Sequence, residues 1–513
     1  MSVINNIEPL LQEALNPILI GYAQSLNGIK PDWYLKSRPD GEYLIIEFAS
    51  PTEFHFGIHN AIVASLPDDN YFKERSAIQI RRKAPKFRLL LPETQLLKKV
   101  IAESLTIDKN SFNDNFFSRY TASVAGLEEQ ISTKANFVVY GRRGAGKSSL
   151  LAYALHTAIK NSDPYSWIAM QTFSKRSDSQ AIPAIISAIL FELNKLSVGN
   201  IELEELIKTF DLLSESDDKN VLIKSDRLMP RVRRVLGVIA SSKNPITIFL
   251  DDIHVIDESI QPLILSYIYK LTRGNNAYIK ISGIEQLTSL WSSTTQTGLQ
   301  PPHDAQILNL DLNLTMPDKS QEHIISILNA HARYCGLPNI NYLSGDDALP
   351  RLVLAAAGVP RDSLNLFSIG MSKAISRNQK FVSITSINAA ASDMVGEKIK
   401  DMERDTAGEW KEIKDILNEI KEFCVTTNRK NAFLVEIRNS DLRYKLIQKL
   451  VALRLVHLLS EGITPRKVGQ RFIALMLDYG FYVGIRAARS VDFIPPEPRQ
   501  LLAKELRSLP IFI

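Results

Sequence analysis

Residues 137–148 read Phe137-Val138-Val139-Tyr140-Gly141-Arg142-Arg143-Gly144-Ala145-Gly146-Lys147-Ser148, an apolar β-prone run that breaks into a glycine-rich turn. The last eight satisfy the pattern G-x-x-x-x-G-K-[ST], and a helix-like stretch, SLLAYALHTAIK, follows from Ser149. Strand, glycine turn and helix stand in the order that phosphate chemistry needs. Backbone N–H groups of such a turn, presented at a helix N-terminus, wrap a polyphosphate. Gly141, Gly144 and Gly146 remove side chains that would block its approach. Lys147 supplies a cation for the β- and γ-phosphates, and Ser148 a hydroxyl for Mg²⁺. The expected nucleotide contacts are Gly141, Arg142, Arg143, Gly144, Ala145, Gly146, Lys147, Ser148 and Ser149.

Outward from this loop, a second apolar run, Ile246-Thr247-Ile248-Phe249-Leu250, ends in Asp251-Asp252. Its β-branched content suits a buried parallel strand. Asp251 is the expected partner of Ser148 in holding Mg²⁺. Asp252, one residue on, is the expected general base that polarises the attacking water. A strand is expected at Ser166–Phe173, a helix in AIPAIISAILFELNKL, another helix over 258–272 and a further strand at Tyr278–Gly283. Strands alternating with helices imply a parallel sheet with its ligand at the strand carboxyl ends, where Asp252 and Ser282 would lie. No NKxD or TKxD segment is present to select guanine, and no LSGGQ-like signature of transporter ATPases. ATP with Mg²⁺ is therefore the expected cofactor.

The bulk properties fit a multidomain globular chain. There are 513 residues, 45% hydrophobic and 23% charged, enough for about three domains. No apolar run is long enough to span a bilayer. The start, MSVINNIEPLLQEAL, carries acids and lacks a basic segment, so no signal peptide is expected and the cytoplasm is the expected compartment. Cys335 and Cys424 have no Cys or His neighbours at metal-binding spacing and read as small buried apolar residues. The net charge of +5 is uneven: residues 71–90 hold seven Lys/Arg against one Glu, and residues 429–471 hold ten against three acids. Such clusters attract phosphate backbones, and equally make a solvated face or meet an acidic protein.

Residues 317–376 read as a helical unit containing Ala357-Gly358-Val359-Pro360-Arg361-Asp362-Ser363-Leu364. Gly358 and Pro360 end one helix and start the next. Arg361 then projects from the first turn, either to reach a γ-phosphate or to cap a surface turn.

Together these strings resemble the AAA+ superfamily of P-loop ATPases, nearest its initiator-type (ORC/Cdc6-like) and STAND branches, over roughly residues 118–375. GRRGAGKSSL resembles Walker A and ITIFLDDIH resembles Walker B. Ser282 stands where a polar sensor-1 residue sits, and GVPRDSL is similar to the sensor-2 motif of a helical lid. FLDDIHVIDES is similar to the D-D-x-H stretch of STAND switch proteins. The resemblance implies an α/β fold with a P-loop parallel-sheet core and a helical lid, catalytic roles for Lys147, Asp252, Ser282 and Arg361, and metal ligation by Ser148 and Asp251. One departure stands out. AAA+ rings take an arginine finger from the segment after sensor 1, and residues 281–318 contain no Arg or Lys. Arg273 or the Arg227/Arg231/Arg233/Arg234 group would have to substitute, which favours a slow switch over a ring motor.

Residues 405–485 are similar to the winged helix of initiator-type ATPases: WKEIKDILNEIKEF, the run Asn431-Ala432-Phe433-Leu434-Val435, DLRYKLIQKLVALRLV, and two strands, His457–Leu459 and Arg471–Leu477, flanking a basic loop at Gly462–Lys467. The resemblance makes DNA the expected partner and Arg443, Lys445, Lys449, Arg466, Lys467 and Arg471 candidate contacts. In STAND proteins such domains bind protein instead. The first 95 or so residues carry a helix near 5–27 and a hairpin signal at Pro39-Asp40-Gly41. Pro31-Asp32 and Ile46-Glu47-Phe48-Ala49 invite comparison with PD-(D/E)xK nucleases. Ala49 takes the lysine position, so a small α+β interaction domain, offering a charged sheet face to nucleic acid or an acidic partner, is expected instead. The expected organisation is 1–110 N-terminal α+β accessory domain, 111–316 ATPase core, 317–400 helical lid and 401–513 winged-helix-like domain. A nucleotide-dependent homo-oligomer and a protein partner for the N-terminal domain complete the expected partners, with no membrane association.

Overall fold

In the computed structural model the chain divides into two units, each gathered from three separate stretches. The structure describes residues 9–82, 87–196, 200–240, 244–310, 314, 316–405, 410–438, 441–463, 471–483, 491–492 and 498–513. Among them no helix is long and apolar enough to cross a membrane.

The first unit comprises Met1–Thr121, Met316–Gly396 and Tyr479–Gln500. Its sheet has three strands: β1 (Asp32–Arg38), β2 (Gly41–Phe48) and β3 (Ser76–Ile80). β1 and β2 form the expected antiparallel hairpin, turned through Gly41 at φ +129°, and β3 runs parallel to β2 after helix Glu53–Ser65. Alternation puts Leu44, Ile46 and Phe48 on one buried face, where Phe48 meets His55 and Tyr22 with ring centroids 4.5 and 6.3 Å away. Asp32 and Glu47 are register partners. The cation that answers this acidic end is the chain's own Arg81, 2.8 Å from Asp32 and 2.8 Å from the buried Glu93. The Ala49 N–H donates to Glu93 at 2.9 Å, so the place a nuclease lysine would take is part of an internal ion-pair network.

The same unit includes the helical segment after residue 316. Helix Pro92–Leu105 packs against helices Pro317–Tyr334 and Pro360–Ser376. Phe54 stacks on Tyr334 at 4.7 Å, Arg88 lies over Tyr342 at 4.2 Å, and His331 meets Ser104 at 3.1 Å. Gly358, at φ +76°, and Pro360 at the first helical position set the boundary before Pro360–Ser376, as their chemistry dictates.

The second unit comprises Ala122–Thr315, Glu397–Asp478 and Leu501–Ile513. Its main sheet is all parallel: β4 (Phe137–Tyr140), β5 (Tyr165–Ala169), β6 (Ile246–Asp251), β7 (Ala277–Gly283) and β10 (Gln306–Asn309), in the order β10-β4-β7-β6-β5. A small hairpin, β8 (Trp291–Ser292) and β9 (Thr297–Gly298), lies between β7 and β10 in sequence. Ile246, Ile248, Phe249 and Leu250 are each fully buried, contributing about 1.5–3 kcal/mol apiece through removal from water. The strand expected over 166–173 ends at Ala169, because Met170 and Phe173 turn into a buried 3₁₀ segment. Two helices that the sequence reading did not place, Ile201–Ser214 and Val221–Ile239, pack on helix Asp178–Asn194.

The C-terminal part of this unit carries a four-stranded sheet, order β12-β13-β11-β14, from β11 (Ala432–Glu436), β12 (Val456–Ile463), β13 (Phe472–Leu477) and β14 (Ile511–Phe512). Helix Trp410–Lys421 precedes β11, and helix Leu442–Ala452 joins β11 to β12. A second helix between those strands, which a helix-turn-helix needs, is not among the described residues. Helix Leu442–Ala452 packs against the turn Glu285–Leu287, just beyond the end of β7.

Candidate functional site

The loop from Gly141 to Gly146 joins β4 to helix Lys147–Lys160. The helix holds its place by burying Leu150, Leu151, Ala154, Leu155 and Ala158 along one stripe. Its first residue follows Gly146, which has φ +100° and no capping side chain. The helix start thus has no capping side chain of its own, the arrangement in which first-turn N–H groups serve a ligand. Gly144 is also left-handed, at φ +81°. Gly141 is favoured for a different reason: a Cβ there would crowd Ala145 Cβ at 3.2 Å and Leu310 Cβ at 3.3 Å. A Cβ at Gly146 would meet nothing within 4 Å, so the cradle is open on that side. Lys147 is buried, and one contact of its Nζ is donation to the Arg142 carbonyl at 3.3 Å.

The strand order brings the acids to the loop. β7 lies between β4 and β6, and its register sets Ser282 opposite Val139 and Ile281 opposite Leu250. Ser282 therefore sits between the phosphate-loop strand and the acidic strand end. Its hydroxyl donates to Asp251 Oδ1 at 2.6 Å and accepts from the Asp252 N–H at 2.7 Å. Ser148 Oγ donates to the same Asp251 oxygen at 3.0 Å. Burial, then the neighbouring Asp252 charge, push the Asp251 carboxyl up, against the pull of Ser282, Ser148 and Lys147.

These residues fit a small divalent cation. Ser148 and Asp251 offer oxygen atoms only, already side by side, and Mg²⁺ takes few protein oxygens and keeps water for the rest. A cation there would also relieve the electrostatic cost that two adjacent carboxylates impose on Asp251.

Asp252 is differently placed. Its backbone is left-handed, φ 60° and ψ 53°, a conformation costing roughly 1 kcal/mol or more for a non-glycine residue. Its side chain is 43% exposed. His254 lies behind it, Nδ1 3.7 Å from Asp252 Oδ1, with that nitrogen buried and making no hydrogen bond. Burial, with Lys147 and Arg143 nearby, brings the His254 pKa down to about 4, so the imidazole is neutral near pH 7. Its signal in the sequence was the D-D-x-H spacing, to which no role had been attached. Gln261 gave no signal. Fully buried, it donates to the Ile256 carbonyl at 2.8 Å and accepts from the Ser289 N–H at 2.8 Å, tying the loop after β6 to the loop after β7.

The structure thus gathers Gly141 to Ser149, Asp251, Asp252 and Ser282 at one sheet edge. Arg361 is exposed, as the second residue of helix Pro360–Ser376 in the other unit. Of the basic candidates, Lys445 and Arg471 are exposed and Lys449 is half-buried. Arg443 donates to Glu419 at 2.5 Å and lies over the Phe512 ring at 4.9 Å. Arg466 and Lys467 lie outside the described residues. Arg231, considered as a substitute finger, is held by Glu202 and Glu205 at 3.0 and 2.7 Å, and Arg233 donates to the Arg273 carbonyl at 2.7 Å.

Comparison with protein families matches residues 121–279 to an AAA ATPase domain. Comparison with curated proteins finds no match. Among solved structures, the chain is similar to the Aeropyrum pernix ORC1 protein in complex with DNA, at 13% identity and TM-score 0.39, over 72% of this chain and 91% of that one. It is similar to Drosophila ORC bound to DNA at 14% identity and TM-score 0.36, over 78% and 93%. It is similar to a Walker-type ATPase of Pyrococcus abyssi at 12% identity and TM-score 0.40, over 74% and 98%. With its phosphate loop and acidic strand end inside the matched segment, residues 121–279 carry the AAA ATPase domain of a P-loop ATPase.

Proposed function

We propose that the chain is an initiator-type, Mg·ATP-dependent switch of the cytoplasm whose nucleotide state gates DNA binding by the C-terminal domain. One observation carries this reading. The hydrogen-bonded series Ser148–Asp251–Ser282 ends on β7, and the turn just after β7, Glu285–Leu287, is packed by helix Leu442–Ala452. A change at the phosphates therefore has a short physical route to the C-terminal domain.

In this reading the loop from Gly141 to Ser149 holds the phosphates, and Lys147 neutralises their charge. Ser148 and Asp251 would hold Mg²⁺, which shields the β- and γ-phosphate oxygens when bound. Asp252 accepts the proton of the attacking water, and Ser282 fixes both acids in place. Arg361 is the proposed reader of the γ-phosphate. Lys445 and Arg471, exposed in the basic C-terminal segment, are the candidate DNA contacts the structure leaves most accessible.

The test is retention of duplex DNA by the full chain with a slowly hydrolysed ATP analogue and with ADP, across a salt series. The reading requires retention that differs between nucleotides and falls linearly on a log–log plot against salt. Equal retention with both nucleotides removes the gate. No retention with either, alongside normal ATP hydrolysis, leaves a switch whose output is protein.

A further inference from the structure

We propose that the outer face of the β1–β2–β3 sheet is a binding surface for single-stranded nucleic acid, separate from the C-terminal domain. Register defines this face. Lys36 pairs with Tyr43, Tyr34 with Ile45, and Ile45 with Ala77. Tyr34, Lys36, Arg38 and Tyr43 therefore share the side opposite the buried Leu44, Ile46 and Phe48. Arg75, one residue before β3, lies on the same side by register, and Arg82, two residues beyond β3, reaches that side through the Gln79 amide. Lys36, Arg38 and Arg82 are exposed, and Tyr34, Tyr43 and Arg75 half-exposed.

The charges here are available. None of Lys36, Arg38, Arg75 and Arg82 forms an ion pair among the described residues. The acids on this side are otherwise engaged. Asp32 and Glu93 are bonded to Arg81, Glu47 lies beside Arg81's charge, and Asp40, which accepts the Tyr43 hydroxyl at 2.6 Å, is one carboxylate in the field of both Arg75 and Arg38. The aromatic rings are held in place. Arg38 lies over the Tyr43 ring at 4.4 Å, Arg75 over Tyr71 at 4.9 Å, and the Tyr34 hydroxyl is hydrogen-bonded to Gln79 at 3.0 Å.

Unpaired cations interleaved with half-open tyrosines match a ligand that has both a polyanionic backbone and free π-faces. Single-stranded DNA or RNA has both, and its bases extend arginine–tyrosine stacks without a sequence code. A duplex offers the phosphates and hides the base faces. An acidic peptide offers charge and gains nothing from the rings.

The test uses the full chain carrying Lys445→Glu and Arg471→Glu, which removes the candidate C-terminal contacts. Fluorescence anisotropy is read with labelled oligo-dT and oligo-U of about 20 nucleotides, a span that covers a site of this class, and with a duplex of the same length and polyglutamate. Tyr34→Ala with Tyr43→Ala should weaken oligo-dT binding by about tenfold or more, the scale of one or two lost stacking contacts. Tyr34→Phe with Tyr43→Phe keeps the rings and should bind as the parent does. Lys36→Glu with Arg38→Glu, both solvent-facing, should flatten the salt dependence, and this pair serves if the alanine variant does not fold. Preference between oligo-dT and oligo-U assigns the natural strand as DNA or RNA. The proposal is overturned if the parent retains neither strand, if the alanine variant folds and binds as the parent does, or if duplex or polyglutamate binds equally well. ATP hydrolysis measured on the same samples separates this outcome from a failure of the switch reading.

Discussion

Two adjacent aspartates end β6, and their surroundings divide their work. Asp251 is enclosed and accepts from Ser148 and Ser282, whereas Asp252 is turned outward by a left-handed backbone and remains partly exposed. A general base has to reach water, and a metal ligand has to be fixed, so the geometry favours Asp252 for the first role and Asp251 for the second. Asp252→Asn should lower the hydrolysis rate by roughly 10²–10⁴-fold, the usual worth of a positioned base, while ATP binding measured by calorimetry stays intact. Equal turnover in the variant and the parent would reject Asp252 as the base. His254 adds a second expectation at this scale. Its neutral, unsatisfied Nδ1 faces Asp252 across 3.7 Å. An N–H there would orient the carboxylate, which is 43% exposed. His254→Leu should lower kcat with little change in KM, and His254→Asn, which keeps a donor, should recover part of the loss. A variant that loses nucleotide affinity instead would mark His254 as a packing residue.

At the scale of elements, buried charges fasten strands to their neighbours. Lys280, in the middle of β7, is 2% exposed and donates to the carbonyls of Thr133 and Ala135 at 2.6 and 2.7 Å. Burial brings its pKa down from 10.5 to about 7. Between about pH 7 and 10.5 the unfolded chain therefore holds a proton that the folded chain has released, so stability rises with pH across that window. Compared with Lys280→Met, the parent should gain stability from pH 7 to 10 in denaturant titrations, and a flat difference would mean that Lys280 stays charged. In the C-terminal sheet, Asp478 is bonded by Lys398 at 2.7 Å and His457 at 2.8 Å, all three buried. Their favourable charges and hydrogen bonds hold the Asp478 carboxyl far below its usual range even though burial alone would raise it. Lys398→Met should cost about 3–5 kcal/mol by removing the buried cation that balances that carboxylate, and adding Asp478→Leu should return most of it. A single variant as stable as the parent would show the pair to be replaceable. The contrast between strands and charges also explains what was legible. The apolar runs of β4, β6 and β7, and the glycine turn after β4, are local patterns and could be read from sequence. The strand order that sets Ser282 between the phosphate-loop strand and the acidic end of β6 was not legible. Neither was β14, two residues at the C-terminus paired to Leu434 and Val435, nor Lys280, which reads as a surface residue until its carbonyl partners are known. Helices Ile201–Ser214 and Val221–Ile239 had a readable amphipathic period but no motif to draw attention to it.

At the scale of the whole molecule, each unit is assembled from stretches far apart in the chain. Phe54 stacks on Tyr334 and Arg88 on Tyr342, so residues before 121 and after 316 share one core that no local periodicity announces. The same scale governs how fast the ATPase can turn over. An arginine supplied by a neighbouring subunit is worth about 10³–10⁵ in rate, and here the segment after β7 has none to give. Of the substitutes, Arg231 is engaged by two glutamates and Arg233 by a carbonyl. Arg273 is exposed, with its guanidinium 5.8 Å above the Tyr269 ring. A chain without a donated finger hydrolyses slowly at any concentration, because association completes nothing at the γ-phosphate. The turnover per chain should therefore stay constant as protein concentration rises well beyond the point at which any nucleotide-dependent oligomer forms. Arg273→Ala should leave that rate unchanged. A rate that climbs with concentration and collapses in Arg273→Ala would show instead that the copies complete one another's sites, and the slow-switch reading would give way to a cooperative assembly.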